Sequence, residues 1–185
     1  MNILEAIIER KKAEVEERKA TIPVEVLRQS VLYKRPRLSL KQFLLDETRT
    51  GIIAEFKRRS PSKGSINEHA DVVEVTSAYA NNGASALSVL TDELFFGGST
   101  EDLIQARVNA IPILRKDFMI DEYQIEEAKA MGADVILLIA ACLTPDEVQR
   151  LAAYAKQLGL EVLLELHAEE DLEHICDETE IVGIN

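Results

Sequence analysis

The stretch Ile52-Ile53-Ala54-Glu55-Phe56-Lys57-Arg58-Arg59-Ser60-Pro61-Ser62-Lys63-Gly64-Ser65 decides the fold of this chain. Its first residues are apolar up to Glu55, as in a strand that is covered on both faces of a parallel sheet. Side chains alternate along a strand, so Glu55 and Lys57 point to the same side. The stretch therefore predicts a buried strand with an acid and a lysine at its carboxyl end, where α/β folds place ligands.

The polar turn after this strand favours a ligand site over an ion pair that only closes the strand end. Lys57, Arg58, Arg59 and Lys63 concentrate positive charge, and the hydroxyls and glycine of the turn offer hydrogen-bond donors to an anion. The 185-residue chain has a net charge of −12, so this cluster runs against the overall charge. The same overall charge argues against nucleic acid and anionic membranes as general partners.

The length and composition predict one cytoplasmic domain. With 46% hydrophobic residues the chain can bury a core. The sequence contains no run of about 18 apolar residues, the length that would indicate a membrane span. Its charged amino terminus is unlike a signal peptide. Cys142 and Cys176 lack the spacing of a metal site and fit a reducing compartment, and we expect no metal.

The chain alternates between apolar runs and helix-like stretches. A helical extension is predicted over residues 1–47, with helices at 2–19, 23–32 and 39–45, the first capped by Asn2 and Glu5. Six strands follow within 48–185, at 51–56, 84–90, 111–114, 135–140, 161–166 and 181–185. The helices between them are predicted at 68–82, 100–108, 121–131, 145–157 and 169–177. Such strand–helix units form parallel sheets through right-handed crossovers.

Two architectures remain open from this pattern. An open six-stranded sheet fits the length, whereas a closed barrel needs eight strands and about 250 residues. An open sheet gathers its ligands at one switch point, but a barrel mouth collects residues from all its strands. Polar residues end strand after strand, which favours a barrel cut short: Glu55, Lys57, Thr91, Lys116, Glu165, His167 and Asn185.

Three of these strand ends carry the predicted chemistry. Lys116 can act as a general acid or form a Schiff base, or it can simply pair with Asp117 or Glu165. Glu165 is a base or a structural counter-ion, and Asn185 offers an amide to a polar substrate group. His167 is more often a capping residue than a catalyst.

The motifs resemble those of one family, indole-3-glycerol phosphate synthase. The resemblance lies in the first-strand stretch 53–64, in Leu87-Ser88-Val89-Leu90-Thr91-Asp92 with Phe95-Phe96-Gly97-Gly98-Ser99, in Pro112-Ile113-Leu114-Arg115-Lys116-Asp117-Phe118, in Glu161-Val162-Leu163-Leu164-Glu165 and in Gly183-Ile184-Asn185. It runs from the helical extension to the last residue. It implies a (β/α)8 TIM barrel, here its first six strand–helix units, in a single domain.

The resemblance implies ring closure, decarboxylation and dehydration of 1-(o-carboxyphenylamino)-1-deoxyribulose 5-phosphate. Lys116 would be the general acid and Glu165 its partner in proton transfer, while Glu55 and Lys57 would serve binding and dehydration. Residues implied in substrate binding are Ser60, Phe96, Phe118, Leu138 and Asn185. The implied partner is this small phosphorylated substrate, and no metal or organic cofactor is implied.

The family pattern continues with a seventh and an eighth strand, and this sequence contains neither. The seventh and eighth strands carry most of the phosphate site in the family, so we expect the 185-residue chain alone to be inactive or impaired. Exposed edges at the first and sixth strands would favour a homo-oligomer. The alternatives are a non-catalytic partial barrel that self-associates, or another phosphate-handling barrel such as an isomerase or a Schiff-base aldolase.

Overall fold

The computed structural model describes residues 3–185. Helices α1 to α7 lie at Ile3–Thr21, Val24–Leu27, Leu40–Leu45, Val72–Asn81, Thr100–Ala106, Glu122–Ala130 and Pro145–Gln157. Strands β1 to β8 lie at Ile53–Phe56, Arg59–Ser60, Gly64–Ser65, Ala86–Leu90, Ile113–Lys116, Val135–Ile139, Glu161–Leu166 and Ile181–Ile184. Short 3-10 helices cover Val31–Lys34, Ala140–Cys142 and Glu169–His174.

The described residues divide into two compact units. The first unit holds Phe118–Ala130 and Ile136–Asn185 together with the amino-terminal residues up to Arg35, and the second holds Pro36–Asp117 and Met131–Val135. Each unit combines parallel strands with the helices that connect them, so the predicted α/β class is confirmed.

In the second unit, β4 lies between β1 and β5, and both pairings are parallel. All five residues of β4 are buried, as expected for a strand that is covered on both faces. The register places Glu55 opposite Ser88, and Leu90 opposite Lys116. The carboxyl ends of β1 and β5 therefore lie on either side of the end of β4.

In the first unit, β7 pairs in parallel with β8, and Glu165 lies opposite Gly183. Helix α7 buries Val148, Leu151, Ala152 and Ala155, the i, i+3, i+4, i+7 spacing of one helix face. Its start is the predicted one: the Thr144 hydroxyl accepts from the Glu147 backbone N–H at 3.2 Å, and the Glu147 carboxylate accepts from the Thr144 backbone N–H at 2.8 Å.

Most predicted elements are present: α7 and β7 have the predicted bounds, β5 lies two residues later than predicted, and two helices differ in kind. The predicted helix at 23–32 ends at Leu27, because the Ser30 hydroxyl accepts from the Leu32 N–H and donates to the Ala130 carbonyl oxygen at 2.7 Å. The segment predicted as a helix at 169–177 is a 3-10 helix. The β2–β3 hairpin was not predicted, and the proposed Asn2 cap lies outside the described residues.

Neither cysteine forms a disulfide. No helix within residues 3–185 has the length and apolar character needed to cross a membrane.

The buried carboxylate of Glu126 joins four segments of the first unit. Its side chain is 1% exposed and accepts hydrogen bonds from Arg28 Nη2 at 2.6 Å, from the Tyr33 hydroxyl at 2.7 Å and from the Tyr154 hydroxyl at 2.7 Å. Burial opposes ionisation, but these donors outweigh it and hold the pKa of Glu126 below its usual range. Burial and the Glu126 charge raise the pKa of Tyr154 to about 12.

Replacing Glu126 by glutamine should therefore lower the free energy of unfolding by about 2 kcal/mol, because the substitution removes the charge of a buried acceptor that three donors share. The control is Glu122→Gln, whose carboxylate is 39% exposed and pairs with Arg150 at 2.9 Å; its effect should stay below about 0.5 kcal/mol. Urea denaturation measures both.

The effect of Glu126→Gln should also depend on pH. A carboxylate with a depressed folded-state pKa stabilises the fold above its unfolded pKa, and this contribution is lost as pH falls through the folded pKa. The difference between wild type and variant should thus shrink below about pH 4.3. Equal losses in the Glu126 and Glu122 variants at pH 7 would contradict the assigned role.

Candidate active site

The second unit holds a carboxylate between two ammonium groups. Glu55 Oε1 lies 3.0 Å from Lys57 Nζ, and Glu55 Oε2 lies 3.5 Å from Lys116 Nζ. We call these three residues the lysine–glutamate cluster. The side chains of both lysines are 31% exposed and that of Glu55 is 29% exposed, so solvent and small solutes reach all three.

The strands position this cluster. Glu55 lies near the end of β1, Lys57 follows β1 directly, and Lys116 is the last residue of β5. Because the three strands are parallel, their carboxyl ends meet at one edge of the sheet in this unit. The structure thus brings together the three residues that alternation and strand ends predicted for this edge.

Ser88, in the middle of β4, belongs to the same site and was not predicted. Its hydroxyl donates to Glu55 Oε2 at 3.1 Å, and the residue is 4% exposed. A single hydroxyl in the otherwise apolar run Ala86–Leu90 is the signal that could have identified it, because a buried hydroxyl needs a hydrogen-bond partner.

The pKa of Glu55 reflects these neighbours. Burial favours the neutral acid, but the charge of Lys116, the hydrogen bond and charge of Lys57, and the hydroxyl of Ser88 together hold the pKa of Glu55 below its usual range. The carboxylate is therefore ionised at neutral pH. The cluster can bind an anionic solute through its lysines and offers both a proton donor and a proton acceptor.

Arg58 and Arg59, two of the four cations after β1, bind protein groups outside the lysine–glutamate cluster. Arg58 donates to the Asp102 carboxylate at 2.5 and 2.9 Å, and Arg59 Nη2 donates to the carbonyl oxygens of Glu93 at 2.7 Å and Leu94 at 2.6 Å. Their partners lie more than 30 positions away, so sequence alone could not identify them. Lys57 belongs to the lysine–glutamate cluster and Lys63 is exposed, so the anion-binding role of the four cations stays a prediction.

Ser60 and Phe96 flank this part of the second unit. Ser60 is 8% exposed, and its hydroxyl accepts from the Lys63 backbone N–H at 3.2 Å, which shapes the hairpin turn. Phe96 is half-buried in the loop after β4, where its backbone N–H and that of Phe95 donate to Asp92 Oδ1. The loop returns tightly at Gly98, because a Cβ there would lie 2.1 Å from the Leu90 carbonyl oxygen.

The first unit holds the remaining predicted residues. Glu165 Oε1 accepts from Asn185 Nδ2 at 3.3 Å and lies 3.4 Å from His167 Nε2. The Glu165 side chain is 15% exposed. Phe118 is half-buried, and Leu138 is fully buried within β6. This unit therefore brings together Glu165, Asn185 and His167.

Cys142 carries no activated thiol. Burial, together with the charge of Glu165, raises the pKa of Cys142 to about 12. Among residues 3–185, no group of three or more His, Cys, Asp or Glu side chains is arranged to hold a metal ion.

Comparison with known proteins identifies the family to which this chain is similar. The model of the indole-3-glycerol phosphate synthase family matches residues 4–185. An indole-3-glycerol phosphate synthase from Bacteroides thetaiotaomicron is 49% identical over 185 residues, which cover 100% of this chain and 71% of the relative. One from Salinibacter ruber is 43% identical, with coverage of 100% and 70%, and one from Campylobacter jejuni is 44% identical, with coverage of 99% and 72%.

A more distant likeness adds nothing to this assignment. A xylose isomerase-like TIM barrel protein from Mycobacterium smegmatis aligns with a TM-score of 0.42 and 16% identity, over 72% of this chain and 63% of that one. The family match, by contrast, spans nearly the whole chain, and the resemblance of the motifs is confirmed. The chain belongs to the indole-3-glycerol phosphate synthase family, carboxy-lyases of tryptophan biosynthesis.

Proposed function

We propose that the residues of this chain act in the conversion of 1-(o-carboxyphenylamino)-1-deoxyribulose 5-phosphate to indole-3-glycerol phosphate. The observation that carries the proposal is the lysine–glutamate cluster, which offers two partly exposed ammonium groups on either side of an ionised carboxylate. A substrate with a carboxylate, a phosphate and a carbonyl needs local cations for binding and a proton donor for activation of the carbonyl.

Lys116 acts in this proposal as the general acid. It polarises the ribulose carbonyl while the carbon of the anthranilate ring attacks the carbonyl carbon, and the new carbon–carbon bond closes the ring. The carbonyl oxygen takes a proton and becomes a hydroxyl. The 3.5 Å contact with Glu55 supports this role, since the carboxylate orients the Nζ of Lys116 at the end of β5.

Glu165 is the partner in proton transfer. The carbon–carboxylate bond breaks and releases CO2, and the hydroxyl then leaves as water together with a ring proton. Asn185 and His167 approach the same oxygen of Glu165, which orients the carboxylate for accepting a proton. Glu55 and Lys57 serve substrate binding and the loss of water.

The binding residues complete the proposal. Ser60 and Asn185 bind polar groups of the substrate, Phe118 and Leu138 border its aromatic ring, and Phe96 is a further binding residue. Residues 48–185 supply the strands, and the chemistry needs no metal or organic cofactor. We place the reaction in the cytoplasm.

A polypeptide of residues 1–185 alone is inactive in this proposal. The curated relatives are longer, since this chain covers 70 to 72% of the three reported above. The loops after the last strands of a barrel commonly build its phosphate site. The residues of the relatives outside the aligned region are therefore needed for productive binding of the substrate phosphate.

A second proposal is self-association through strand edges. In β8, Val182 is 39% exposed and Ile184 is 79% exposed, and before β1 Ile52 is 57% exposed. Exposed apolar side chains on a terminal strand of a sheet favour pairing with another chain. A polypeptide of these residues would then form a non-catalytic homo-oligomer.

The functional proposal is tested with a chimera that continues residues 1–185 with the part of the Bacteroides relative that follows the aligned region. Indole fluorescence should report turnover by the chimera and none by the 185-residue polypeptide. Lys116→Ala should lower the kcat of the chimera at least about 100-fold, whereas Lys156→Ala, at the exposed end of α7, should change it less than about threefold.

Full turnover in the Lys116→Ala chimera would refute the assigned acid. Trapping of a sugar phosphate on Lys116 by borohydride would instead support a Schiff-base aldolase.

Self-association is tested by sedimentation of the 185-residue polypeptide over a range of concentrations. The mass should rise with concentration, and Ile184→Lys should weaken association about tenfold, because a charge on an edge strand opposes pairing. Leu172→Lys is the control, since Leu172 is 52% exposed but lies in a 3-10 helix. A concentration-independent monomer would contradict the proposal.

A further inference from the structure

We propose that Ser88 is a positioning residue, whose hydroxyl holds the Glu55 carboxylate with Oε2 turned toward Lys116. Ser88 and Glu55 are direct partners in the register of β1 and β4. The Ser88 hydroxyl donates to Glu55 Oε2 at 3.1 Å from a position that is 4% exposed. The residue reaches the carboxylate from inside the sheet, while substrate would approach from the exposed side.

The two oxygens of Glu55 have different neighbours. Oε1 faces Lys57 Nζ at 3.0 Å, whereas Oε2 receives the Ser88 hydroxyl and faces Lys116 Nζ at 3.5 Å. Lysine ammonium groups on flexible stems set the direction of a carboxylate only loosely. A hydroxyl fixed in a buried strand defines that direction. Ser88 therefore sets the orientation of the carboxylate, with the oxygen that accepts its hydrogen bond facing Lys116.

The placement of Ser88 distinguishes it from a hydroxyl that only fills the core. The other four residues of β4, Ala86, Leu87, Val89 and Leu90, are apolar and buried, so a small apolar residue would suit position 88 by packing alone. Burial of a hydroxyl costs free energy unless it is hydrogen-bonded, and a bond to an ionised acceptor is about twice as strong as a neutral one. The Glu55 carboxylate supplies that acceptor.

The charged groups around Glu55 support the same view. Lys57 faces it from the end of β1 and Lys116 from β5, while on α4 the Tyr79 hydroxyl contacts the Glu55 backbone carbonyl at 3.4 Å. Burial opposes ionisation of Glu55, and Ser88 adds to the two lysines in holding the pKa of Glu55 below its usual range. Loss of the hydroxyl should therefore weaken the acid even with both lysines in place.

The catalytic meaning of this contact rests on the proposed function, but the contact itself does not. Its test is a titration of the Glu55 side-chain carboxyl carbon by NMR, in 13C-labelled 185-residue polypeptide. In Ser88→Ala the acid dissociation constant of Glu55 should fall about threefold, so that its titration midpoint moves to higher pH. The titration midpoint of Glu55 does not depend on turnover, so it can be interpreted even if the chimera shows no activity.

Ser85→Ala is the matched control. Ser85 also lies in the buried part of this segment, is 0% exposed, and its hydroxyl accepts from the Gly51 backbone N–H at 2.9 Å. The control loses a buried hydroxyl without touching Glu55, so its Glu55 midpoint should match wild type. An unchanged midpoint in Ser88→Ala, or the same shift in Ser85→Ala, would overturn the proposal.

Ser88→Cys covers the case in which the alanine variant does not fold. A thiol has a similar shape but is a weak hydrogen-bond donor. The Glu55 midpoint should move in the same direction as in the alanine variant, by a smaller amount. A folded cysteine variant with the wild-type midpoint would also overturn the proposal.

Discussion

The ionised carboxylate of Glu55 imposes the strictest requirement on the second unit. A charge at the end of a buried strand is costly unless opposite charges and donors surround it. Here the compensation comes from three strands at once: Lys57 after β1, Ser88 in β4 and Lys116 at the end of β5. A shift of one residue in either pairing would turn these side chains to the other face of the sheet. The cluster can therefore form only in the observed register of β1, β4 and β5.

Glu126 in the first unit shows the opposite use of the same chemistry. Both acids have cationic and hydroxyl neighbours and a depressed pKa. Glu126 is 1% exposed and its partners close around it, so its role is to join the segments that carry them. Glu55 and its lysines are about 30% exposed. Exposure, rather than the kind of partner, separates a structural carboxylate from a candidate functional one.

Local patterns in the sequence predicted local features well. Apolar runs located the six strands of the sheets, the Thr144–Glu147 capping box located the start of α7, and alternation placed Glu55 beside Lys57. Features that depend on distant partners were not predictable. The contacts of Arg58 and Arg59 with residues more than 30 positions away, and the pairing of Ser88 with Glu55, follow only from the fold. The 3-10 helix at Glu169–His174 was predicted as a longer helix.

The pKa of Cys142, about 12, bears on side reactions. At pH 7 such a thiol is almost entirely protonated, whereas the thiolate is the form that attacks carbonyl carbons and is oxidised by peroxides. Burial thus lets the chain keep a cysteine close to a candidate proton-transfer group while little thiolate is available there for addition or oxidation.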